Sequence, residues 1–150
     1  LELRTMLDTL GLPGVVKTSG SKGLHLSVPI RPSVSSEDTK SWARALGQLL
    51  ARRNPEKVTV EMRRDLRPGK VFVDWSQNDR HKTTVCAYSL RGRDRPMVST
   101  PIEWDELGAA LEAQDPDALT FETPEVLDRA DRGDPYAANT DSSAQLPALG

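Results

Sequence analysis

The sequence predicts an α+β fold, a largely antiparallel sheet flanked by helices, on three observations. Short apolar segments of strand period stand at 15–17, 24–30, 58–62, 71–75 and 83–88, and Gly-, Ser- or Pro-rich turns join several of them directly. Segments of helical period precede, interrupt and follow these strands. The chain has 150 residues, the size of one ordinary domain, and its 37% hydrophobic residues with ten glycines fall near the globular average of roughly 45–50%.

In chain order, Leu3, Met6 and Leu10 recur at helical spacing, and Gly11 with Pro13 ends that segment. Val15–Lys17 and Leu24–Ile30 follow as strands around a Ser19–Gly23 turn. In the second, Leu24, Leu26 and Val28 lie on one face and His25 and Ser27 on the other. Ser35 or Ser36 is placed to cap a long helix whose first turn carries Glu37 and Asp38, where the macrodipole favours acids. Its apolar stripe is Trp42, Ala45, Leu46, Leu49 and Leu50.

Val58–Met62 then reads as a strand, and the Arg67-Pro68-Gly69-Lys70 turn leads into the strand Val71–Trp75. A second turn around Ser76–Arg80 leads to Thr83–Tyr88, so these last two strands are expected to form a hairpin. Trp104, Leu107 and Leu111 have helical spacing. Thr123-Pro124-Glu125 opens a further helix that Gly133 ends. From Asp134 the chain is small and polar, a docked or frayed tail.

Several classes are disfavoured. No apolar run approaches the roughly 18 residues of a membrane span. The lone Cys86 cannot form an internal disulfide, and no Cys/His cluster has zinc spacing. Leu1–Gly14 lacks the basic start and apolar centre of a signal peptide. Leu1 is not an initiator methionine, so a soluble intracellular domain cut from a longer chain is expected. The net charge of −2 hides an asymmetry: residues 52–95 hold 12 basic and 6 acidic side chains, and residues 96–150 hold 2 basic and 12 acidic. The basic stretch suits a polyanion such as nucleotide or nucleic-acid phosphate. It equally suits a solvated face, or one that the acidic third neutralises.

Three groups of residues could carry chemistry. Thr18-Ser19-Gly20-Ser21-Lys22-Gly23-Leu24-His25 combines glycines that let backbone approach a ligand, two hydroxyls, a point charge on Lys22, and His25 on the next strand. It is not a Walker A loop, and an ordinary Gly/Ser turn would look similar. Asp74 closes an apolar strand; a carboxylate there is either held in a turn around Ser76–Asn78 or kept for a metal. A two-metal site needs further carboxylates. Arg91 and Arg93 are two apart, so an extended backbone points both to one side, as suits phosphate oxygens. A solvated Arg-rich loop is the alternative. Arg67 and Gln77 flank Asp74 on either side of its strand.

Taken together, the run 17–26 (KTSGSKGLHL) and the run 61–78 (EMRRDLRPGKVFVDWSQN), with Lys82-Thr83-Thr84, Tyr88-Ser89-Leu90-Arg91 and Trp104-Asp105-Glu106-Leu107, closely resemble one family. It is the polymerase domain of bacterial ligase D and its stand-alone relatives, within the archaeo-eukaryotic primase superfamily. The resemblance covers nearly all of Leu1–Gly133. It implies that 1–133 is the C-terminal part of a primase-polymerase catalytic core and that 134–150 is a tail.

The resemblance also implies DNA-directed nucleotidyl transfer in non-homologous end-joining repair. NTPs or dNTPs would be added at DNA ends before a ligase domain or separate ligase seals the strand, with Ku as partner and Mn2+ or Mg2+ as cofactor. The setting would be the bacterial cytoplasm, at the nucleoid and not at a membrane. Residue by residue, Ser19, Lys22, Gly23 and His25 match the family's nucleotide-phosphate motif. Asp74 matches its third metal-binding carboxylate, which with His25 makes the catalytic pair of this segment. Arg67, Gln77, Arg91 and Arg93 match positions lining the nucleotide and template side.

One departure stands out. The family's first motif, two aspartates one residue apart on an apolar strand, is absent: Asp115-Pro116-Asp117 is polar and Glu103-Trp104-Asp105 begins a helix. The 150 residues alone are therefore expected to be inactive. The alternatives are a non-catalytic nucleotide- or DNA-binding module, or a structural subdomain.

Overall fold

The hairpin around Ser19–Gly23 supplies two strands of a three-stranded sheet. β1 (Val15–Thr18) and β2 (Leu24–Ser27) pair antiparallel, with Val15 opposite Ser27, Lys17 opposite His25 and Thr18 opposite Leu24. On its other edge β1 pairs antiparallel with β7 (Pro101–Ile102), so β1 lies between two neighbours and is buried at all four positions. The computed structural model describes residues 1–92, 94–137 and 144–148. The chain divides into two units, one of Leu1, Leu3–Pro29 and Val85–Ala144, the other of Glu2, Ile30–Thr84 and Gln145–Gly150.

The first unit contains the three-stranded sheet. Its helix α1 (Glu2–Thr9) buries Met6 and Leu7 and stops before Gly11, whose φ of +66° suits glycine. β5 (Leu90–Arg91) and β6 (Met97–Val98) form a second antiparallel pair. Val16, Val98, Ile102, Phe121 and Val126 form the core, with Trp104, Leu107 and Leu119 packed on it. α3 (Trp104–Glu112) is fixed by Trp104 Nε1–H donating to Gly14 O at 2.8 Å. α4 (Thr123–Arg132), with Pro124 in its first turn, sends Arg129 back to Glu106 in two bonds of 2.6 and 2.8 Å, its guanidinium lying over Phe121. A forked, charge-assisted pair of this kind sets the angle between two helices better than a single contact. The tail begins docked, with the Tyr136 hydroxyl hydrogen-bonded to Ser27 Oγ.

In the second unit α2 (Ser36–Arg53) starts as expected: Ser35 Oγ accepts from the Asp38 N–H at 3.1 Å. It buries Leu46 and Leu50, each worth roughly 1.5–3 kcal/mol. Gly47 admits the neighbouring strands; a Cβ there would meet Val60 Cγ1 at 2.9 Å and Val73 Cγ1 at 3.2 Å.

Two expectations about the strands are corrected. β3 (Val58–Thr59) and β4 (Val71–Phe72) are short and pair in parallel. The stretch 60–70, with its 3₁₀ turn at Arg64–Leu66, is long enough to return the chain to the start of β3. The expected hairpin of Val71–Trp75 with Thr83–Tyr88 does not form. Trp75–Gln77 is a 3₁₀ turn, no ladder holds 83–88, and Tyr88 takes φ +64°, which breaks extension just before β5. The fold is nonetheless α+β with antiparallel pairing in both sheets of the first unit. No helix among the described residues is long and apolar enough to cross a membrane.

Candidate functional site

The loop between β1 and β2 is closed at both ends. Ser19 N–H donates to Gly23 O at 2.8 Å, and Gly23 N–H donates to Ser19 Oγ at 3.1 Å. Gly23 N–H is thereby consumed inside the loop. The Ser19 hydroxyl, having accepted one bond, keeps its own proton to give. Lys22 and Gly23 are exposed on the loop.

Gly20 explains the loop's closeness to the rest of its unit. It has φ +64°, and a Cβ there would lie 2.6 Å from Arg91 Cγ, 2.9 Å from Ser99 N and 3.1 Å from Val98 C. The Arg91 stem therefore crosses the loop at Gly20, and an open depression of about 460 Å³ is lined by Leu90, Arg91, Gly92 and Asp94. Arg93 lies outside the described residues.

Behind the loop stands a charged residue to which sequence reasoning assigned no role. Lys17 is 3% exposed in the middle strand. Its ammonium donates to Ser99 Oγ at 2.6 Å and Val85 O at 2.9 Å, and lies 3.1 Å from His25 Nδ1. Ser99 Oγ in turn donates to Thr18 O at 2.8 Å. Burial holds the Lys17 pKa down, Cys86 opposes that, and Arg91 adds to it. His25 is likewise lowered, first by burial and then by the positive charges of Lys17 and Arg91. Like charges gathered around one imidazole favour an anion there. The signal was present in the sequence: counting back from a loop of 19–23 sets Lys17 opposite His25.

The second unit carries the acidic candidate. Asp74 is exposed where the chain leaves β4. Its carboxylate accepts from Ser76 Oγ at 2.6 Å and Gln77 Nε2 at 3.3 Å. Lys82 Nζ donates to the same Ser76 Oγ at 2.6 Å. The turn expected around Ser76–Asn78 thus holds Asp74 through side chains, and Gln77 serves the carboxylate directly. Arg67 is spent on its own surroundings: its guanidinium lies 3.6 Å from the Phe72 ring centroid and bonds the backbone carbonyls of Glu61 and Met62.

The residues present do not by themselves suit a divalent ion. Asp74 offers one carboxylate, and no group of three or more His, Cys, Asp or Glu side chains among the described residues is placed to hold a metal. Asp115 caps the 3₁₀ turn Pro116–Leu119, and Asp105 lies in α3, so neither supplies the missing aspartate pair.

An α+β chain with a hairpin loop of hydroxyls and cations, and a strand-end aspartate, has the outline of a primase-polymerase core. The chain belongs to the family of the LigD primase-polymerase domain, whose pattern matches residues 1–136. It is 43% identical over 145 residues to the multifunctional non-homologous end joining protein LigD of Mycolicibacterium smegmatis, covering 97% of this chain and 18% of that protein. It is 32% identical over 129 residues to the bifunctional non-homologous end joining protein LigD of Bacillus subtilis, covering 85% of this chain and 20% of that protein. The polymerase domain of Mycobacterium tuberculosis ligase D, solved in complex with DNA, matches with a TM-score of 0.83 at 42% identity, over 95% of this chain and 48% of that one. The chain thus spans about a fifth of these relatives and about half of the solved domain.

Proposed function

We propose that residues 1–133 are part of a DNA-directed nucleotidyltransferase that adds ribo- or deoxyribonucleotides at DNA ends during non-homologous end joining, with 134–150 as its tail. The observation that supports this most directly is the likeness, at a TM-score of 0.83 and 42% identity, to a polymerase domain in complex with DNA. In this reading the Ser19 hydroxyl, Lys22, His25 and Arg91 donate to the triphosphate of the incoming nucleotide, joined by Arg93. They neutralise the charge that builds on the leaving pyrophosphate. Gly20 keeps the loop and Arg91 together, and Gly23 closes the loop. Gln77 orients the Asp74 carboxylate, and Arg67 braces the same strand through Phe72.

Asp74 is proposed as one donor to a divalent ion, Mn2+ or Mg2+, whose remaining donors come from outside the described residues. When bound, such an ion supplies a lowered pKa at the attacking hydroxyl and charge stabilisation at the leaving group. Ku and a ligase activity complete the repair setting in the bacterial cytoplasm.

The test is templated extension of a recessed DNA end by the protein as its source cell makes it. The expected result is incorporation directed by the overhang and abolished by chelation. A second reading, binding without turnover, is favoured by the lack, among the described residues, of any group of three or more His, Cys, Asp or Glu side chains placed to hold a metal with Asp74. Salt-sensitive DNA binding with no incorporation under any divalent ion would support it instead.

A further inference from the structure

We infer that Lys17 is the positioning residue for His25, holding the imidazole neutral with its proton on Nε2. The inference deepens the phosphate-site reading and rests on it.

The bond count around Lys17 forces the assignment. An ammonium has three donors and no acceptor. One goes to Ser99 Oγ, which is free to accept because its own proton goes to Thr18 O. The second goes to Val85 O, and the third faces His25 Nδ1 at 3.1 Å. Nδ1 must therefore present a lone pair, and the single proton of the neutral ring sits on Nε2. Placing a proton on Nδ1 would set an N–H against an ammonium already held in place by two other acceptors.

The strand register makes this geometry rigid, since Lys17 and His25 are directly paired residues of β1 and β2. The charged and titratable groups acting on the pair are Arg91, which opposes protonation of both, and Cys86 beside Lys17. Lys17 is too buried to reach a ligand. It acts through His25, which it keeps as an Nε2–H donor. A phosphate oxygen accepts from such a donor, whereas an N–H or ammonium group of a ligand cannot. The donor stays available from neutral pH down into mildly acidic conditions, without a switch of charge.

The measurement is ¹⁵N NMR of the histidine rings in the protein as its source cell makes it, with the His25 signal assigned by its loss in His25→Asn. The expected pattern is an unprotonated Nδ1, a protonated Nε2, and a titration midpoint below the ordinary 6.5. Lys17→Met should move the midpoint up toward 6.5, raise the nucleotide KM about tenfold and make that KM pH-dependent. Lys17→Arg should restore much of the wild-type behaviour. A wild-type His25 with Nδ1–H, or with a midpoint at or above 6.5, overturns the inference even if Lys17→Met fails to fold. If the tautomer is as expected but His25→Ala leaves the nucleotide KM unchanged, the phosphate-site reading fails and the hold of Lys17 on His25 stands.

Discussion

Lys17 sits in the buried middle strand of one unit, and Asp74 is exposed two residues beyond a two-residue strand in the other. Two of Lys17's partners, Val85 and Ser99, lie 68 and 82 residues along the chain. Asp74 is held, among the described residues, by Ser76 and Gln77, two and three residues on. The cation is therefore fixed by tertiary packing and cannot shift without disturbing β1, β2 and the segment 97–100. The carboxylate is held by local bonds that an incoming ligand can replace at little cost. The surroundings of Lys17 are built in advance, whereas those of Asp74 are left adjustable.

The sharpest way to separate the two is to remove each charge. Asp74→Asn in the protein as its source cell makes it should cut extension by on the order of 10²-fold or more, the loss of several kcal/mol expected when a carboxylate donor goes. Its thermal stability should barely move, because an exposed side chain loses only two local bonds. A normal rate, or a large fall in Tm, would break the contrast.

The glycines offer the next comparison. Gly20→Ala combines a left-handed backbone with contacts under 3 Å to Arg91 and the Ser99 nitrogen, and should cost about 2–4 kcal/mol in denaturant unfolding. Gly69→Ala, with φ +71° and nothing within 4 Å, should cost only about 1 kcal/mol. Equal costs would mean that the loop does not press on β6.

The smallest effect is in acid. The Asp79 carboxyl is pulled down to about 2 by the His81 N–H and then by the Lys40 ammonium at 2.9 Å. A folded pKa below the ordinary 3.8 means that the stabilisation is present above about pH 4 and is lost as pH falls toward 2. Asp79→Asn should flatten the stability curve across that window. An unchanged acid limb would assign the loss to other carboxylates.

What could be read before the structure was known is local. The Ser35 cap, the turn at 19–23 and the helix stop at Gly133 each depend on neighbours within a few residues, and each appears where expected. Ser19 and Gly23, which close that loop on each other, were placed in it for the same reason. The parallel β3–β4 pair was missed because two-residue strands carry no period, and nothing in 60–70 announces its return path. The hairpin at 83–88 failed because Tyr88 adopts a left-handed conformation that its side chain does not advertise. Arg67 was expected to line the nucleotide and template side; its stack on Phe72 and its bonds to Glu61 and Met62 exist only once the strand and turn have packed. Lys17 looked like one more basic residue, and only the register and the distant Ser99 make it a buried one.

The most direct test of the central claim, that the 19–25 segment grips nucleotide phosphate, is the steady-state nucleotide KM of Lys22→Ala against wild type in templated extension. Lys22 is exposed on the loop, so its loss should leave folding intact. The account predicts a KM raised about tenfold, with a smaller change in kcat, as expected when one charged contact to the bound nucleotide is removed. An unchanged KM would contradict it.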